Sequence, residues 1–171
     1  GKLTFGPHWD FDRALGSTDG RDANPRQGNT GGFFGGPWWP RLFSDPDFWQ
    51  LWVDRWQELR QTQFSVANLN ALADRLAGEL RDAQPRQYQR WGFQPRGGSY
   101  QSEVNLMKAW LSNRVDFIDQ QLTPPPRLRP PSAGEAVACR LAQSPTNVTV
   151  YYTLDGSDPR LPQGGIRSNA F

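Results

Sequence analysis

Two carboxylates, Asp10 and Asp12, are the residues of this chain best placed to do chemistry. They stand in the run Trp9-Asp10-Phe11-Asp12, where apolar and polar positions alternate as in a half-buried strand. Side chains two residues apart on a strand project to the same side. Trp9 and Phe11 would then face one way, and His8, Asp10 and Asp12 the other. Two like charges held this close call for a cation to offset them. Mg²⁺ suits the pair, because it takes one or two carboxylates, keeps several waters and bridges phosphate oxygens. The same Asp-x-Asp spacing also fits a solvated turn or edge strand. His8, the only histidine, can serve as a third ligand or pack at the Pro7–Trp9 corner. Arg13 can reach a phosphate or pair with either carboxylate.

The elements that must position these residues follow along the chain. Residues 16–40 form a Gly-rich stretch with no period until Trp38-Trp39. A loop this long in a compact domain is a lid, a binding loop or an insertion. Three helices come next. The first begins at Asp45-Pro46, an N-cap followed by a proline at the first helical position. Its Phe48, Leu51, Trp52, Trp56 and Leu59 share one stripe. The second begins at Ser65 and carries Leu69, Leu72, Leu76 and Leu80 at helical spacing up to Pro85. The third begins near Ser99, with Val104, Met107, Leu111, Phe117, Ile118 and Leu122 as its buried face. Arg55, Arg60, Arg90 and Arg114 recur beside aromatics. They fit a surface for phosphate or acidic peptide, or stacking on rings with ion pairs to Asp54, Glu58 and Asp116.

Residues 123–131, Thr-Pro-Pro-Pro-Arg-Leu-Arg-Pro-Pro, suit neither a helix nor an inner strand. They read as a stiff, extended linker between modules. Beyond it, Asn147 to Thr153 is a predicted strand, and Asp155-Gly156-Ser157-Asp158-Pro159 a predicted turn. The spacing of Asp155 and Asp158 does not match an EF-hand loop, so a turn-shaping role is expected of them.

Composition narrows the classes. The 171 residues carry a formal charge of +2, too small to point to a nucleic-acid partner. Hydrophobic residues make up 36%, and the eight Trp and ten Phe concentrate that content in large rings that bury much area apiece. The single cysteine, Cys139, excludes a disulfide framework and a cysteine-based metal site. No apolar run approaches the ~20 residues that span a bilayer.

In protein kinases an Asp followed by Phe, ahead of a long loop, holds Mg²⁺, and Asp10-Phe11 precedes just such a loop. More specifically, Gly6-Pro7 with Trp9-Asp10-Phe11-Asp12-Arg13-Ala14-Leu15-Gly16 resembles the signature of the CotH family of spore-coat-type atypical protein kinases. So do Trp38-Trp39, Leu42-Phe43, Arg55-Trp56, Leu59-Arg60, Arg90-Trp91, Trp110-Leu111, Arg114 and Phe117, in consistent order over residues 2–122. The resemblance implies a mostly α, helical C-terminal lobe of an atypical kinase-like fold, α+β in the intact protein. It also implies phosphorylation of protein serine with ATP and Mg²⁺, with Asp10 and Asp12 at the metal and Arg13 toward the nucleotide. The location it implies is a bacterial spore coat, cell surface or secreted state, with coat or wall components as further partners. The family's nucleotide-gripping lobe and catalytic-loop Asp are expected ahead of Gly1, so the chain reads as a fragment, inactive alone. The alternative is a degenerate, non-catalytic surface module with the same fold. The tail from Val150 to Arg160 resembles the opening of a chitobiase/β-hexosaminidase C-terminal-type β-sandwich. The expected organisation is therefore a kinase-type lobe over 1–122, a linker over 123–134 and an incomplete β module over 135–171.

Overall fold

The computed structural model describes residues 7, 14–16, 24–26, 39–92, 94–129, 140–143 and 148–171. Among them the chain is mostly helical. It divides into two units, one of residues 1–28 and 61–118, the other of 29–60 and 119–171. The helices are α1 (Trp39–Phe43), α2 (Pro46–Arg60), α3 (Val66–Leu80), α4 (Gln84–Trp91) and α5 (Tyr100–Gln121).

The three expected helices start where their caps stand. Asp45 Oδ1 accepts from the backbone N–H groups of Asp47 (2.9 Å) and Phe48 (3.3 Å) at the head of α2. Ser65 Oγ accepts from Asn68 N at 3.2 Å, opening α3. Ser99 Oγ accepts from Ser102 N at 3.1 Å, opening α5. Each oxygen satisfies a donor that has no partner inside its helix. Two helices were not expected. The short α1 follows Trp38, and α4 begins around Pro85, which stops the α3 pattern yet suits the first turn of a new helix because its missing N–H costs nothing there.

In the first unit the core is built on α3 and α5. Ala73, Val104 and Val115 are buried, and the Tyr100 hydroxyl donates to the Ala77 carbonyl at 3.0 Å. The face of α3 that turns inward is therefore the Ala73–Ala77 side. This corrects the leucine stripe: Leu72, Leu76 and Leu80 are 41%, 44% and 56% exposed. The buried position on α3 is a small residue, Ala73, and the larger leucines stand outside the contact. The expected α5 face holds better, with Val104 buried and Met107, Leu111, Phe117 and Ile118 half-buried. Lys108 Nζ closes on Asp74 at 2.7 Å, tying α5 to α3.

In the second unit α1 and α2 meet through rings. Phe43 packs edge-on against Phe48 and Trp52, both at 5.2 Å, and against Trp49 at 6.0 Å, geometries that aromatic quadrupoles favour. Leu51, expected on the buried stripe, is 68% exposed instead. Asp119 accepts from Trp56 Nε1 at 2.8 Å and from Arg60 Nε at 2.9 Å, and Leu122 is buried. Two antiparallel ribbons complete the unit: β1 (Arg127–Arg129) with β2 (Arg140–Gln143), and β3 (Arg160–Leu161) with β4 (Gly165–Ile166). Part of the expected linker thus forms an edge strand. The expected strand over 147–153 is absent from 148–153. In its place Tyr152 and Phe171 exchange a reciprocal pair of backbone hydrogen bonds, 3.2 and 3.0 Å, with their rings stacked at 5.6 Å. The expected turn is present: Asp155 Oδ1 accepts from Ser157 N (3.0 Å), and Asp158 Oδ1 from Arg160 N (2.9 Å). Arg160 Nη1 also reaches Asp54 of α2 at 2.7 Å.

Candidate functional site

Asp10, Asp12, Arg13 and His8 lie outside the described residues. What the structure describes is how the chain leaves that motif. Residues 14–16 form a turn in which Leu15 and Gly16 take φ of 61° and 80°. The left-handed region is open to glycine and unfavourable for leucine, so the turn is strained at Leu15. Gly16 is buried against the indole of Trp110, and a Cβ there would come within 2.9 Å of Trp110 Cδ1. Only a residue without a side chain fits both the angle and the space.

The Gly16 carbonyl is held in turn. Arg96 Nη1 donates to it at 2.6 Å. The same guanidinium is fixed from behind by Glu103 of α5, with Arg96 Nη2 to Glu103 Oε2 at 3.0 Å, and Glu103 also accepts from the Arg96 backbone N–H. Partial burial pushes the Glu103 carboxyl up. Hydrogen bonds and charge from Arg96 pull it down further, leaving it below its ordinary value. Glu103 is therefore an anion at neutral pH, and its job is to aim Arg96.

A second anchor lies ten residues further on. Arg26 Nη2 donates to Asp116 Oδ2 at 2.6 Å and to Asn113 Oδ1 at 3.2 Å, while Arg114 Nη1 donates to the Pro25 carbonyl at 3.2 Å. The Gly-rich stretch is thus fastened at 14–16 and again at 24–26. Trp110, Asn113, Arg114 and Asp116 all belong to α5, which serves as the rail for both anchors.

Arg55, Arg60 and Arg114 fall on the structural side. Arg114 stands 5.6 Å from the Phe117 ring; Arg90, 5.7 Å from the ring of Trp91, is exposed with it. Arg55 pairs with Glu58 at 2.5 Å, and Arg60 with Asp119. The partners differ from expectation in two places: Asp116 takes Arg26, and Asp54 takes Arg160. These pairs are partly exposed, so each contributes little by itself. Arg96, Glu103 and Arg26 were missed in the sequence. The only local signal for the first two was a carboxylate seven residues after an Arg-Gly-Gly. Among the described residues no three His, Cys, Asp or Glu side chains gather as a metal centre would require. Asp155 and Asp158 are occupied in the turn.

The described parts of residues 1–118 are mostly helical, and α5 holds the segment that follows the acidic motif. The family model for the CotH kinase protein matches residues 1–118, and the chain belongs to that family. No curated protein and no solved structure matches the chain.

Proposed function

We propose that residues 1–118 form the metal-binding and helical part of an ATP- and Mg²⁺-dependent protein serine kinase of CotH type, with Asp10 and Asp12 as the metal carboxylates and Arg13 directed to nucleotide phosphate. The observation that carries this reading is the clamp at Gly16. Four residues beyond Asp12 the chain is fixed by Arg96, Glu103 and Trp110 in a backbone conformation that leucine resists. Strain retained in that way is typical of sites where position matters more than stability.

The donor set fits the ion. Two aspartates offer hard oxygen ligands, and residues 1–118 hold no cysteine or second histidine that would favour a softer metal. When bound, Mg²⁺ would neutralise phosphate charge in the way phosphoryl transfer requires. The chain's own contribution is positional. Glu103 orients Arg96, Arg96 and Trp110 hold the turn, and the turn limits where the two carboxylates can lie. Arg26, Asn113, Arg114 and Asp116 restrain the following loop, which in this reading borders the acceptor serine. The acceptor is a protein, in keeping with the family, at a spore coat or bacterial surface. The phosphate-gripping cation and catalytic-loop Asp that the resemblance calls for have no counterpart in residues 1–118. Residues 1–171 alone are therefore expected to be inactive.

The test is phosphate transfer from labelled ATP to a serine-bearing acceptor by the intact protein. Asp10→Ala is expected to abolish turnover with the circular dichroism spectrum unchanged. Undiminished turnover in that variant would refute the assignment and leave a surface module.

A further inference from the structure

Seven described cations pair with a carboxylate: Arg26, Arg55, Arg60, Arg75, Arg96, Lys108 and Arg160. In the segment 81–91 three arginines stand close in sequence and none does. Arg81, Arg86 and Arg90 are exposed and have no carboxylate within 4 Å among the described residues. Helix α4 holds no acidic residue, and Asp82 is the one acid of the segment. Arg86 and Arg90 stand four apart on α4, so they share a face and repel each other with nothing between them.

The same helix ends in Trp91, which is 61% exposed and packed against the Arg90 guanidinium. Arg, Tyr and Trp are the side chains that dominate binding energy at protein interfaces, and Tyr88 joins them here, half-buried. The helix that carries them is closed at both ends. Pro85 sits in the first turn of α4, and Gly92, at φ 68°, closes the last one by donating to the Tyr88 carbonyl at 2.8 Å. A backbone fixed before binding loses less entropy when it binds.

We propose that Arg86, Arg90 and Trp91, with Arg81, form a docking surface for an acidic segment of the acceptor protein. A planar guanidinium pairs with a carboxylate through two parallel hydrogen bonds, and two guanidiniums one helical turn apart suit two carboxylates on one peptide. Trp91 then covers an apolar side chain between or beside them. A nucleic acid would need a longer basic track than one turn of helix on a chain of net charge +2. The identity of the occupant as acceptor rests on the kinase reading; the binding itself does not.

The test is fluorescence anisotropy of a labelled, Glu/Asp-rich, serine-containing dodecapeptide titrated with the 171-residue chain, with no nucleotide present. Gln keeps the helix propensity of Arg, so the variant R86Q/R90Q should fold as the parent does. It is expected to bind about tenfold more weakly, as two lost charge-assisted pairs imply. Trp91→Ala should weaken binding by a similar factor, and added salt should weaken the parent more than it weakens R86Q/R90Q. The proposal is overturned if R86Q/R90Q binds like the parent, if a Gln-for-Glu peptide binds equally well, or if the chain takes anionic vesicles and ignores the peptide. Because the assay contains no Mg-nucleotide, its result is independent of whether Asp10 holds a metal.

Discussion

Arg96 donates to the carbonyl of Gly16 at 2.6 Å, joining two residues eighty positions apart. That bond, backed by Glu103, ties the exit of the acidic motif to α5. Arg96→Gln should loosen it and cost about 1 kcal/mol, a charged hydrogen bond discounted for partial exposure. Glu103→Gln should cost a similar amount, and the double variant little more than either, since both remove the same linkage. Urea denaturation of the four proteins measures this. Fully additive losses would show that Glu103 does not act through Arg96.

Gly16 itself should tolerate no side chain. Gly16→Ala places a methyl against the Trp110 indole at a positive φ, and about 1–3 kcal/mol of destabilisation is expected. Combining it with Trp110→Ala should relieve the collision and leave the backbone strain. A thermal melt of Gly16→Ala that matches the parent would mean the turn does not adopt the conformation described.

Buried and exposed apolar positions should separate cleanly. Leu122→Ala, at a buried site, should cost about 2–3 kcal/mol. Leu72→Ala and Leu76→Ala, exposed on α3, should each cost under about 0.5 kcal/mol. Helical spacing alone would rank the α3 leucines as core, so guanidinium denaturation of the three variants decides between periodicity and packing.

This contrast shows what was legible in the sequence. The caps at Asp45, Ser65 and Ser99 act on their own first turns, so local reading found them. The α5 face was found in large part because Val104, Leu111 and Ile118 recur at strict helical spacing. The inward side of α3 was not, because alanine carries a weak hydrophobic signal and its burial depends on residues of α5 far along the chain. Pro85 suggests a stop by its residue type, yet α3 already ends at Leu80 and Pro85 stands in the first turn of α4. The tail was over-read as a strand from β-rich residue types; Tyr152 and Phe171 pair across nineteen positions in place of a continuous ladder. The anchors at Gly16 and Arg26 join residues eighty or more positions apart, and no local pattern marks such partners. The acidic motif, by contrast, was legible only as chemistry and resemblance.

Acid should release the turn at 155–160. Hydrogen bonds from the Arg160 side chain and backbone N–H hold the Asp158 carboxyl down to about 2, against an ordinary 3.8, outweighing a small opposing effect of burial. A carboxylate depressed on folding adds stability above pH 3.8 and loses it as pH falls toward about 2. Asp158 is half exposed, so the effect on overall stability is small, and the site itself is the better reporter. Carboxyl-carbon NMR should place the Asp158 midpoint near 2 in the parent and closer to 3.8 in Arg160→Gln. A parent midpoint at 3.8 would contradict the Arg160 contacts.

The central claim, that Asp10 and Asp12 hold Mg²⁺ against nucleotide, is tested most directly by calorimetry. Mg-ADP is titrated into the intact protein and into its D10N/D12N variant, which keeps shape while removing both charges. A Mg²⁺-dependent binding isotherm is expected in the parent, and its loss in the variant. Equal affinity in the two proteins would contradict it.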